Sequence, residues 1–133
     1  MENIIVKDVA ELELQRIVDF WEVDPDGESW EDSKRRLLSA IGKGRIALDD
    51  DNGVLVMTLV SPIELQTGEV ISKLEFREPT ASDLKVFDKY KETEKMAKTI
   101  HLASKMTGQT TAVIDRMGSR DVSTMGAVAS LFF

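Results

Sequence analysis

The chain contains no cysteine, and that absence alone excludes disulfides, thiolate metal sites and cysteine nucleophiles. It is compatible with an intracellular setting. A single histidine among 133 residues leaves little for a catalytic zinc site, so no metal, cofactor or catalytic residue is expected. Positive charge is also scarce: 17 Lys and Arg stand against 24 Asp and Glu, a net charge of −7, with a pI near 4.8. Such a surface lacks the cations that neutralise phosphates, which disfavours nucleic acid and anionic membranes. No apolar run approaches the ~20 residues of a membrane span. Met1-Glu2-Asn3 lacks the basic flank and apolar run of a signal peptide. There is no linker rich in proline, glycine or serine, no low-complexity tract and no internal repeat. A soluble, cytoplasmic protein is expected.

What is present is ordinary globular material. Hydrophobic residues make up 42% and charged residues 31%, which is the usage of a folded domain. The length suits one domain over residues 1–133, with a core that needs no cross-links. Residues 1–44 read either as part of it or as an added helical lobe.

The first third is helical in pattern. Asp8 is placed to cap a helix whose Leu14, Ile17, Val18 and Trp21 recur at helical spacing after the apolar start Ile4, Ile5 and Val6. Asp24-Pro25-Asp26-Gly27 is a strong turn signal that should stop it. Ser29 is placed to cap a second helix, with Glu31 and Asp32 at its positive end. Its apolar face is Trp30, Leu37, Leu38 and Ile41, and Gly42 suits its C-terminal cap. The two should pack as a hairpin.

The middle alternates. Arg45–Leu48 and Val54–Val60 flank Asp49-Asp50-Asp51-Asn52-Gly53, and Asn-Gly is a strong hairpin signal. A turn at Gln66-Thr67-Gly68-Glu69 leads into Val70–Arg77, where Val70, Ser72, Leu74 and Phe76 form the more apolar face. The expectation is an α+β fold: a three-stranded antiparallel meander, about Arg45 to Arg77, packed with helices from both flanks.

The last third supplies most of those helices. Thr80-Ala81-Ser82-Asp83 resembles a capping box with Asp in place of Glu, continued by Leu84 and Phe87. Thr93 is placed to cap a helix lined by Met96, Ala97, Ile100 and Ala103 and stopped at Gly108. After a short segment from Thr111 to Met117, Ser119 caps a final helix carrying Val122, Met125, Ala129 and Phe132 on one face.

Several constellations invite chemistry and fail on spacing. His101 has Ser104 one turn away, but no nucleophile elbow accompanies them. Glu22 to Gly27 and Asp49 to Gly53 each begin like a calcium loop. The bidentate glutamate would then fall on Ser33 and Leu59, so turn chemistry accounts for both. Gly42-Lys43-Gly44-Arg45 lacks the spacing of a phosphate loop and sits in the wrong helix-to-strand order. Lys34-Arg35-Arg36 shares its helix with Glu31 and Asp32 and reads as a solvated face. No carboxylate pair stands out as an acid and base.

Met96, Met106, Met117 and Met125 lie among Phe87, Phe132 and Phe133. Core packing explains most of them, although methionine also suits adaptable binding faces. Leu131-Phe132-Phe133 either folds back on the core or forms a partner surface. The candidate partner-binding residues are therefore Met125, Leu131, Phe132 and Phe133.

The stretch from Val54 onward resembles a phage tail assembly chaperone family of contractile-tailed, Mu-like phages. The resemblance rests on Leu59, Ser61 and Pro62 in the strand pair, then on Arg77, Pro79, Thr80, Asp83 and Leu84 at the strand-to-helix junction. It continues with Thr107-Gly108, Ile114-Asp115, Asp121 and Phe132, in the family's order, while the first 53 residues have no counterpart. The resemblance implies binding to the tape measure protein, a long helical chain kept soluble until tail tube subunits polymerise around it. It also implies the tail tube protein and a longer frameshifted form of itself as further partners. The expected setting is the host cytoplasm, with the protein absent from the mature virion. Self-association into a homo-oligomer is left open, as are two other classes: a small acidic adaptor that regulates one folded partner, and a structural tail subunit.

Overall fold

A computed structural model of the chain describes residues 5–25 and 27–132. Met1 to Ile4, Asp26 and Phe133, which enter the expectations above, lie outside them. The order is α1 (Lys7–Trp21), α2 (Gly27–Gly42), β1 (Ile46–Asp49), β2 (Val54–Glu64), β3 (Val70–Arg77), α3 (Ala81–Leu84), α4 (Lys95–Thr107), α5 (Thr111–Ile114) and α6 (Ser119–Ala129). A 3-10 turn, Lys85–Lys89, follows α3, and another, Ser130–Phe132, follows α6. The fold is α+β, as the alternation and helical periodicities imply.

The strands form one antiparallel sheet in the order β1-β2-β3. Leu55, Met57, Leu74 and Phe76 point to its buried face, where helices cover it. α1 and α2 pack on each other and on β1, α2 also packs on α6, and α4 packs on β3 and α6. One core therefore draws Ile17 and Leu37 from the first helices together with Phe76, Leu102 and Met125.

Boundaries of four helices differ from expectation. α1 starts from Val6, with no side-chain cap, and Asp8 sits inside its first turn. It stops at Trp21, because Glu22 turns left-handed at φ 51°. The Val23 N–H then reaches the Val18 carbonyl and the Glu22 N–H reaches that of Asp19, which closes the helix before the proline turn. α2 begins at Gly27, so Ser29 lies within the helix rather than capping it. At its far end Gly44, at φ 73°, takes the closing role expected of Gly42. The Arg45 and Gly44 N–H groups bond the Ala40 and Ile41 carbonyls, both at 2.9 Å. α4 and α6 are capped at Glu94 and Gly118 without side-chain bonds, so neither Thr93 nor Ser119 caps.

Two faces are also rotated. In α4 the buried stripe is Thr99, Leu102, Ala103 and Met106, while Met96 is exposed. In β3 the inward set changes parity: Leu74 and Phe76 are buried as expected, but Ile71 is buried and Val70 exposed. The change falls opposite an irregular stretch: Thr58 pairs with Lys73 and Ile63 with Ile71, so β2 bulges between Thr58 and Ile63 while its own inward set keeps its parity.

Candidate functional site

Three polar assemblies and one pair of surface hollows distinguish this structure. The first assembly joins β2 to α6. A bulge leaves backbone donors out of the ladder, and here the Asp121 carboxylate accepts them: Val60 N–H at 2.8 Å and Ser61 N–H at 3.0 Å. Asp121 is almost fully buried, and the positive end of α6, where it sits in the first turn, favours its charge. Pro62, next in the strand, has no N–H to satisfy.

A second assembly closes the strand-to-helix junction. Thr80 Oγ1 accepts the Asp83 N–H, and the Asp83 carboxylate accepts the Thr80 N–H, which completes the expected capping box. Arg77 donates to the same carboxylate at 2.8 Å and to the Lys105 carbonyl at 2.8 Å. One guanidinium thus ties β3, α3 and the C-terminal end of α4. The Arg77 bond, followed by that from the Thr80 backbone, holds the Asp83 carboxyl below the usual carboxylate range against its burial.

The third assembly contains the only histidine. The Tyr90 hydroxyl meets His101 Nδ1 at 3.1 Å, and the rings are edge-on. Burial, then the nearby Lys89 and Lys105, depresses the imidazole pKa. The Ser104 hydroxyl donates instead to the Gln109 carbonyl at 2.5 Å. Among the described residues, no three His, Asp or Glu side chains are grouped so as to hold a metal ion.

The hollows lie elsewhere, where the α1–α2 connection meets the Ser130–Phe132 turn. One, of about 380 Å3, is lined by Val23, Asp24, Pro25, Ser29, Trp30, Ser130, Leu131 and Phe132. The other, of about 450 Å3, runs between α1 and α2 past Leu14, Val18 and Leu38, with Glu11, Gln15 and Lys34 also lining it. Asp24, Pro25 and Trp30 line both, so the two adjoin in one groove whose lining mixes apolar side chains with polar and charged ones. Phe132 is held at the groove by Trp21, with ring centroids 5.1 Å apart.

Of the residues expected at a partner surface, Met125 is fully buried and Leu131 is 5% exposed. Both pack inside the chain, although Leu131 also lines the groove wall. Phe132 is half-buried, and Phe133 lies outside the described residues. Trp30, Val23 and Pro25 join the surface without having been anticipated there. Their sequence signals were those of a helix face and a turn, and both signals were satisfied locally.

The model of a protein family described as "Phage tail assembly chaperone proteins, E, or 41 or 14" matches residues 56–133. Neither a curated protein nor a solved structure matches the chain. The matched segment, well over half of the chain, holds the Asp121 clamp, the Arg77–Asp83 junction and the Phe132 side of the groove. Of the residues that carried the sequence resemblance, Ser61 and Asp121 meet across the bulge, and Arg77, Thr80 and Asp83 meet at the junction.

Proposed function

The chain belongs to the phage tail assembly chaperone family, and on that premise we propose that it binds the tape measure protein and keeps it soluble until the tail tube polymerises. The family match carries this reading. The groove around Trp30 supports it, because an elongated hollow that mixes apolar side chains with polar ones suits an amphipathic helix. Phe132 at its edge packs against Trp21, and Leu131 is anchored in the core. The excess of acidic residues keeps such a complex soluble while apolar faces are engaged. Many copies along one long partner would add avidity to weak single contacts. Under this proposal the tail tube protein and a longer frameshifted form of the chain are further partners. The work takes place in the host cytoplasm, and the protein leaves before the virion matures.

The test is co-expression with the tape measure protein of the same phage. The tape measure should be soluble and co-purify with the wild-type chain, and should aggregate without it. A tape measure that is equally soluble alone, or the chain's presence in purified virions, would count against the proposal; the second result would point to a structural subunit.

A further inference from the structure

α1 carries apolar side chains on two faces. Ala10, Leu14, Ile17 and Trp21 are buried in the core. Val9, Leu12 and Phe20 are not: their exposures are 50%, 70% and 41%, and Val6, the extended residue just ahead of the helix, is 68% exposed. At about 100° per residue, the three helical positions fall within an arc of about 80°, centred more than a quarter-turn from the buried stripe. From Val9 to Phe20 this face runs about 16 Å along the helix at 1.5 Å per residue, with Glu13 beside it. Single exposed apolar residues need no explanation, but an aligned set on one element does.

One flank of this stripe is acidic throughout. Asp8, Glu11 and Asp19 are exposed along it, and the same helical geometry places no Lys or Arg among them. Arg16, which lies on the stripe itself, is turned to Glu13 at 3.0 Å and Asp50 at 3.1 Å, so its charge is balanced. An antiparallel pair of α1 helices from two copies would set this acidic flank against itself, and an anionic membrane would meet like charge. The charge pattern selects a basic occupant.

We propose that the exposed face of α1 is a docking surface for an amphipathic helix of about three turns whose apolar stripe is bordered by Lys or Arg. The surface lies ahead of residues 56–133, which match the family. Glu11 of its acidic flank also lines the hollow between α1 and α2, but Val9, Leu12 and Phe20 line neither hollow.

The test titrates the full chain, by calorimetry, with two synthetic helical peptides that share a leucine stripe. One carries lysine along the flanks and the other glutamate. The lysine peptide should bind at least about tenfold more tightly than the glutamate peptide. A Val9→Ser, Leu12→Ser variant should lose about tenfold in affinity for the lysine peptide while still folding cooperatively, because Val9 is half exposed and Leu12 mostly so. An Asp8→Lys, Glu11→Lys, Asp19→Lys variant should reverse the peptide preference. Equal affinity for the two peptides, no binding of either, or lysine-peptide binding that survives the double serine change would each overturn the proposal. Any of those results leaves the tape measure reading intact, since co-expression decides that separately.

Discussion

Asp121 reaches across the fold to Ser61, accepting its backbone N–H at 3.0 Å while its other carboxylate oxygen takes the Val60 N–H. This pair joins the last long helix to the bulge of the central strand. It also explains why an ionisable residue is tolerated at 1% exposure: two donors that the ladder cannot use face it.

Removing the carboxylate should therefore cost more than a surface change. Asp121→Ala leaves the part-buried Val60 N–H and the N–H of exposed Ser61 without their acceptor, so each costs toward the low end of about 1–3 kcal/mol. Urea unfolding should show a loss of about 1–2 kcal/mol. A loss below about 0.5 kcal/mol, the usual span of a surface substitution, would mean that the clamp is incidental.

The Arg77–Asp83 junction predicts a pH dependence. Arg77 holds the Asp83 pKa below its ordinary value, so the folded state binds this proton less readily than the unfolded state. The resulting stability is complete above the ordinary aspartate value near ~3.9 and is lost as pH falls through the lower, folded one. Asp83→Asn should thus be destabilised at pH 7, and its gap to the wild type should narrow as pH drops below about 4. Unfolding midpoints measured from pH 7 to pH 3 decide the matter; a gap of constant size would refute the assignment.

Glu22 closes α1 in a left-handed conformation at φ 51° that side chains bearing a Cβ adopt only at a cost. Glu22→Gly should raise stability by about 0.5–1 kcal/mol, the strain relieved less the extra entropy of an unfolded glycine. A lower thermal midpoint in this variant would show that the Glu22 side chain contributes more than its backbone strain removes.

Met125 and Phe132 lie seven residues apart and should separate folding from binding. Met125, fully buried, should lose about 2–5 kcal/mol of stability on change to alanine, as buried methionines do. Phe132, half-buried against Trp21, should lose less stability as Phe132→Ala but more tape measure solubilisation per folded molecule. If Phe132→Ala lowers only the thermal midpoint and leaves solubilisation per folded molecule unchanged, Phe132 belongs to the core alone.

Sequence and tertiary structure divided the work along a physical line. Whatever depends on neighbours a few residues apart could be read from the chain itself. The Thr80–Asp83 box needs only a side chain and an N–H three positions away, and Gly108 closes α4 because glycine alone pays no Cβ penalty at φ 76°. The strands from Ile46, Val54 and Val70 followed from alternation between turn residues, and the order of short motifs after Val54 was sufficient to indicate the family. What depended on distant partners was not legible. The parity change from Val70 to Ile71 falls opposite a bulge in the neighbouring strand, and the face α4 buries is the one that meets β3 and α6. Asp121 looked like any first-turn acid, because the two donors it serves are 60 and 61 residues away and become unpaired only when β2 bulges. Likewise Met125 and Phe132 share one helical face in the sequence, but only the packing of the whole chain made the first a core residue and left part of the second at the edge of a groove.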